Sequence, residues 1–185
     1  TMFLLILCTK IYFMNFLLNL IIGVASGVAA SYFFLKYFLS KKKPIVAISE
    51  HISKQTVNGE NSYLIKFVNM TDSEIFDIHI ELTFYKPIGD YNGGNLQGKD
   101  INLKDNFISY MPCNSTNDPH NLHAVRIRTT DDIEQMWSDA SSFIRLSIIA
   151  KHSLSGFNKV FIKDFLNKNC ITDRRFLSGN DLTVN

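Results

Sequence analysis

The chain of 185 residues is 46% hydrophobic, 12% aromatic and 19% charged, with a net charge of +2. That small charge averages the Lys41–Lys43 cluster with a near-neutral remainder, and no basic face with interleaved aromatics occurs, so the footprint of a nucleic-acid binder is missing. Cys8, Cys113 and Cys170 are odd in number, far apart and without a CxxC spacing, which argues against a disulfide framework and for a reducing compartment.

The first predicted element is a membrane span. Leu17–Phe38, LLNLIIGVASGVAASYFFLKYF, is predominantly apolar over about six turns. At ~1.5 Å per residue it reaches roughly 33 Å, close to the ~30 Å hydrocarbon core of a bilayer. The organisation expected is an N-terminal extension over 1–13, a transmembrane helix over 14–40, a basic juxtamembrane linker over 41–44 and a cytoplasmic β-sandwich over 45–185. Residues 1–13 begin with Thr, and Met2 and Met14 are both starts in principle; this stretch is either a gene-start artefact or a natural extension of the anchor. A cleaved signal peptide fits less well, because no positive region precedes the apolar run, which continues past Ala29-Ala30-Ser31.

Orientation follows from the flanks. Lys10 stands alone on the amino side, whereas Lys36, Lys41, Lys42 and Lys43 crowd the carboxy end, which places the following domain in the cytoplasm and the helix in the inner (plasma) membrane. On that side the sequons Asn69-Met70-Thr71 and Asn114-Ser115-Thr116 have no glycosylation to receive. Inside the span, Gly23, Gly27 and Ser31 fall four apart on one helix face, where small residues let two backbones approach closely. Self-association through this stripe is the expectation, and chance occurrence of a common pattern is its competitor.

Pro44 ends the helix, since it removes a backbone donor and biases its predecessor away from helix. Strands follow at Ile45–His51, Ser62–Met70, with Tyr63, Ile65 and Phe67 on one face, and Ile75–Lys86. In the last, Phe76, Ile78, Ile80, Leu82 and Phe84 alternate with Asp77, His79, Glu81, Thr83 and Tyr85, the pattern of a half-buried antiparallel strand. Pro87–Asp100 reads as a long glycine-rich loop, without the GK[ST] or GxGxxG context of a phosphate or dinucleotide site. Ile101–Tyr110 has room for one or two short strands, and Cys113–Asn121 is a polar loop before a strand at Leu122–Arg128. Thr129-Thr130-Asp131-Asp132 starts a short helix near Asp131–Ser138, with a hydroxyl cap and acids in its first turn. Phe143–Lys151 and Phe157–Phe165 form a pair joined by His152–Gly156, and a last strand covers part of Asn169–Val184.

Seven or eight short strands with one small helix predict a mainly β fold, best an antiparallel immunoglobulin-like sandwich, with a small barrel as the alternative. Tyr63–Lys86, YLIKFVNMTDSEIFDIHIELTFYK, resembles a hairpin of the immunoglobulin-like cytoplasmic domains of inwardly rectifying potassium channels, at Phe67, Asn69, Ile75, Ile78 and Ile80. Trp137 and Arg145–Phe161 are similar to carboxy-terminal domains of bacterial channel-like proteins. The resemblance implies the fold and the cytoplasmic side. It does not imply conduction, because a pore helix, a GYG-like filter and a second span have no counterpart in this sequence.

No catalytic set is expected. Cys113, His120 and His123 lack a fourth ligand at metal-site spacing, and Asn, Ser and Pro fill the interval. His152, Ser153 and Ser155 lie too close in sequence for a triad and lack a nucleophile elbow. Arg126 and Arg128 share a strand face and, with Arg145 or Lys151, form a candidate site for a small anion such as a nucleotide phosphate. The expected protein is a non-enzymatic binding module without metal or cofactor. Its partners are the bilayer, a second copy of itself, and either an unidentified protein or a small anionic ligand. The alternative is a ligand-gated membrane-disrupting effector with the layout of short bacterial anti-phage proteins.

Overall fold

In the computed structural model, residues 2–39, 41–57, 59–89, 95–114, 120–137 and 139–185 are described. The chain divides into two units, residues 1–42 and 43–185.

The first unit is helical from its second residue. Helix α1 (Met2–Phe33) continues as a π-helical segment over Phe34–Leu39. The expected boundary at residue 14 is therefore not a structural one: the backbone runs through it as helix. Every described side chain from Tyr12 to Phe38 is exposed, and Tyr12–Leu39 is long and apolar enough to cross a membrane. Towards the carboxy end the polar groups reach along the helix. Lys36 Nζ donates to the Tyr32 hydroxyl at 3.0 Å, and Lys41 Nζ sits 4.3 Å from the centre of the Tyr37 ring. Ser26 Oγ donates back to the Gly23 carbonyl at 2.9 Å, so its hydroxyl is satisfied within the apolar stretch.

The second unit is a mainly β domain of two packed sheets. In the first sheet, β1 (Val46–Ile48) and β2 (Ile52–Val57) both run antiparallel to β3 (Glu60–Asn69), one after the other along the same edge. They are one interrupted strand: at the break the Ser49 amide bonds the Lys66 carbonyl, and Ser49 Oγ accepts from the Lys66 amide. On the other side of β3 lies β7 (Ala124–Thr129). The second sheet repeats the device. β5 (Asn95–Asp100) and β6 (Phe107–Met111) share one edge of β4 (Ile75–Ile88), whose other edge pairs with β8 (Phe143–His152), followed by β9 (Asn158–Phe165). The chain crosses between the sheets four times, after β3, β6, β7 and β9, the last crossing placing the short strand at Ile171–Thr172 beside β2, as in a β-sandwich.

The core between the sheets is mostly aliphatic, with aromatic rings at Tyr63, Phe67, Phe84 and Phe165. Ile65, Phe67 and Ile127 of the first sheet meet Ile78, Ile80, Leu82, Ile144, Leu146 and Ile148 of the second. Strand β8 throughout, and β4 from Ile78 to Phe84, carry the period-2 alternation that their sequences predict. Helix α2 (Ile133–Met136) closes one end, burying Ile133 and bringing in Trp137, whose indole donates to the Ser142 carbonyl at 3.0 Å. Its cap is Asp132, which accepts from the Gln135 amide. The expected hydroxyl cap instead makes a turn, with Thr129 Oγ1 accepting from the Asp131 amide.

Several expectations change. Ile45–His51 is not one strand: β1 ends at Ile48 and β2, which the sequence did not single out, begins at Ile52. Pro87–Asp100 is not wholly loop, since β4 runs on to Ile88 and β5 pairs with it; residues 90–94, with Gly93 and Gly94, lie outside the described set. The sandwich is not purely antiparallel, because β10 (Ile171–Thr172) adds to β2 in parallel. The alternation in β4 is broken at Asp77, whose φ of 49° marks a bulge between Phe76 and His79. Ile75 and Ile78 both enter the core as a result, while Phe76 turns outward against Tyr110 at 5.3 Å.

Candidate functional site

Strand β3 sends Tyr63, Ile65 and Phe67 inward, so Leu64, Lys66 and Val68 face away from the core. Such a face would ordinarily be wet. Instead Lys66 is 1% exposed, because the chain after β10 folds across it. Phe176 is buried, and residue pair Phe176 and Val184 closes a small antiparallel bridge that turns 173–185 into a strap. The strap is fastened by the cations beneath it. Lys66 Nζ donates to the carbonyls of Leu177 at 2.7 Å and Asp181 at 2.6 Å. Arg126 Nη2, directly across β7, donates to the carbonyls of Phe176 at 3.3 Å and Leu177 at 3.2 Å. Ser53 Oγ holds the Arg174 carbonyl at 2.6 Å, and His123 Nε2 lies 2.5 Å from Asn180 Oδ1.

Burial, and then the Arg126 charge, lower the Lys66 pKa, with Asp181 opposing. Beside this pair is a polar cavity of about 100 Å³, lined by Lys66, Arg126, His120, Asn121, Ser178 and Gly179. Its walls include two residues at positive φ, Asn121 at 51° and Gly179 at 66°. A Cβ on Gly179 would stand 3.3 Å from Asn121 Oδ1, so a side chain there would press on the Asn121 amide as well as strain the positive φ.

The four sequence-predicted cations are not brought together. Arg126 borders this cavity. Arg128, on the same strand, lines a separate shallow groove of about 510 Å³ with Glu60, Asn102, Lys104 and Thr130, its Nη2 lying 3.8 Å from Glu60. Arg145 and Lys151 sit on β8 in the opposite sheet. There Arg145 makes a two-pronged bond to Asp164, at 2.7 and 2.8 Å, and Lys151 lies 3.5 Å from Asp77. The hydrogen bond from Arg145 holds the Asp164 carboxyl below the usual range. Lys66 replaces them as partner to Arg126. Sequence reasoning missed it, although its outward neighbours Leu64 and Val68 are apolar, a sign that this face is covered.

The remaining titratable groups have structural settings. His152 is buried, and its Nδ1 accepts from the amides of Leu154 and Ser155 while Nε2 meets Ser73 Oγ at 3.0 Å. It caps the turn in which Gly156 takes φ 70°. Among the described residues no group of three His, Cys, Asp or Glu is placed to hold a metal. Asn69 is fully buried, its side chain bonding the carbonyls of Ser73 and Pro112 and the amide of Thr71, so this sequon is closed in the folded chain. The other sequon runs into 115–119, outside the described residues. Gly23 and Gly27 have nothing within 4 Å of a Cβ built on either. Lys41 and Lys43 are exposed and Lys42 half-buried.

No family model matches the chain, and no curated protein matches it. Among solved structures, it is similar to the sporulation control protein Spo0M from Bacillus subtilis at 8% identity and a TM-score of 0.37, over 67% of this chain and 48% of that one. It is also similar to a FixG-related protein from Vibrio parahaemolyticus at 12% identity and a TM-score of 0.27, over 66% of this chain and 96% of the other. The chain spans about half the length of Spo0M. At these scores neither likeness bears on function.

Proposed function

We propose that this protein is a single-pass, membrane-anchored β-sandwich that acts as a non-enzymatic binding module on the cytoplasmic side of the inner membrane. The observation that carries the reading is the helix. From Tyr12 to Phe38 it has no buried side chain, and a surface so predominantly apolar is unstable in water and favourable in hydrocarbon. Support for the orientation comes from Lys36 and Lys41–Lys43 at one end, with Tyr32 and Tyr37 among them, the lysine and aromatic composition of a cytoplasmic interface.

Two measurements test it. The full chain should stay with membranes through an alkaline carbonate wash, and a fluorescent protein fused after Asn185 should be bright while alkaline phosphatase at the same place is inactive. Release by carbonate overturns the anchor; an active phosphatase fusion overturns the orientation.

A second reading is favoured by the cationic cavity. A domain with a ligand pocket attached to a helix bearing Gly23, Gly27 and Ser31 has the parts of a sensor that clusters its spans and disrupts the membrane. In that case overexpression slows growth and Gly23→Leu with Gly27→Leu relieves it, whereas a passive tether gives no growth defect to relieve.

A further inference from the structure

We propose that the cavity between Lys66, Arg126 and the 178–180 turn of the strap binds the phosphate group of a small oxyanion ligand. This rests on the reading of the domain as a binding module and names the chemistry of what it binds.

The charge around the cavity is unbalanced. Lys66 and Arg126 are cross-strand neighbours, and Lys66 is almost fully buried. Among the described residues neither has a carboxylate within 4 Å; each is met only by backbone carbonyls, and both share that of Leu177. Asp181, the acid whose charge acts on Lys66, accepts at its carboxylate from the Thr183 amide at 2.8 Å. Lys66 is dehydrated, and the solvent-facing Arg126 beside it adds a second positive charge, so an anion placed against the pair stabilises the buried ammonium.

Their donors are also underused. Among the described residues, Lys66 engages two of its three N–H groups, and Arg126 engages Nη2 alone. A tetrahedral dianion, with three terminal acceptor oxygens, matches a lysine and an arginine fork presented side by side. Size narrows the choice further. The cavity, about 100 Å³ and open on one side, suits a compact group such as phosphate, with any larger ligand body reaching into solvent. The lining adds polar groups at Asn121 and Ser178. The strap thus forms one wall, and phosphate would tie it to the sheet.

The experiment uses the full chain in nanodiscs of zwitterionic lipid, with unfolding followed by the fluorescence of Trp137, the one tryptophan. Inorganic phosphate is titrated against potassium chloride of equal ionic strength. A saturable rise in Tm is expected, about 3–6 °C at ten times Kd, absent with chloride. Arg126→Gln, at an exposed position, should fold normally and abolish the rise; Lys66→Met should abolish it too. A second arm replaces free phosphate with phosphatidic acid in the nanodisc. A rise confined to that arm and lost in Arg126→Gln supports the same phosphate chemistry with a lipid headgroup as its source. A rise equal to that in chloride, a rise retained in full by Arg126→Gln, or no rise in either arm overturns the site. The carbonate wash on the same protein keeps the outcomes apart. Membrane retention without phosphate response removes the site alone, and loss of retention removes the anchor alone.

Discussion

Asp77 is where a single residue redirects the fold. At φ 49° it occupies a region that costs an L-residue with a Cβ about 1–2 kcal/mol, least for Asp and Asn. The bulge it makes delivers Ile75 to the core in place of Phe76. A β-branched side chain tolerates this conformation worst, so Asp77→Val should lower stability in urea by about 1–2 kcal/mol, and Asp77→Gly should stay within about 0.5 kcal/mol of the parent. Equal losses in both would mean that the 3.5 Å contact to Lys151 matters more than the backbone. Cys170 shows the same dependence on setting. Burial disfavours its thiolate and pushes its pKa up to about 11. The folded thiol therefore stays protonated at pH 8, and its alkylation, read residue by residue by mass spectrometry, should accelerate tenfold per pH unit until about pH 11. Rapid labelling at pH 8 in the native protein would contradict the burial of this group.

Among the elements, the helix separates two questions that one sequence pattern joins. Gly23 and Gly27 have open space where a side chain would go, so leucines there meet no clash within the chain and improve helix propensity by roughly 1 kcal/mol each. Gly23→Leu with Gly27→Leu should leave membrane insertion intact and, where the stripe packs two helices, convert a cross-linkable dimer to monomer. An unchanged cross-linking pattern would assign self-association to another surface. In the sandwich, the repeated device is the interrupted edge strand. β1 with β2, and β5 with β6, each pair with a single long central strand. The first break is bridged by Ser49 and the second by the bonds from Ile80 to Asn106 and from Ile101 to Leu82. These breaks explain why short hydrophobic runs in the sequence do not add up to a simple count of strands.

For the molecule as a whole, the strap is the part that decides what is exposed. Residues 173–185 convert the outward face of β3 from surface to interior and hold it through carbonyls captured by Lys66 and Arg126. Amine acylation should accordingly modify Lys41 and Lys43 in the native chain while sparing Lys66. Phe176→Ala, which removes the buried anchor of the strap, should expose Lys66 to the reagent and lower stability by about 3 kcal/mol. Labelling of Lys66 in the parent at the rate of the exposed lysines would show that the strap does not cover it in solution.

The apolar helix, the break at Pro44, the alternation of β4 and β8 and the turn at Gly156 were legible in the sequence, because each follows from local periodicity or from the backbone of one residue type. The mainly β class followed from their sum. Other features depend on contacts between distant residues. The bulge at Asp77 breaks an alternation that reads as unbroken, and β5 becomes a strand only by pairing with the extension of β4. The cation pair arises from Lys66 and Arg126, 60 positions apart, meeting across two strands beneath a tail about 50 positions further on. Sequence spacing grouped Arg126 with Arg128, Arg145 and Lys151, but the sandwich puts the last two on its other sheet. Sequence by itself set the apolar helix and the long strands β3, β4, β8 and β9; tertiary structure chose which charges are buried together, since burial is a property of what packs above a residue and not of its neighbours in the chain.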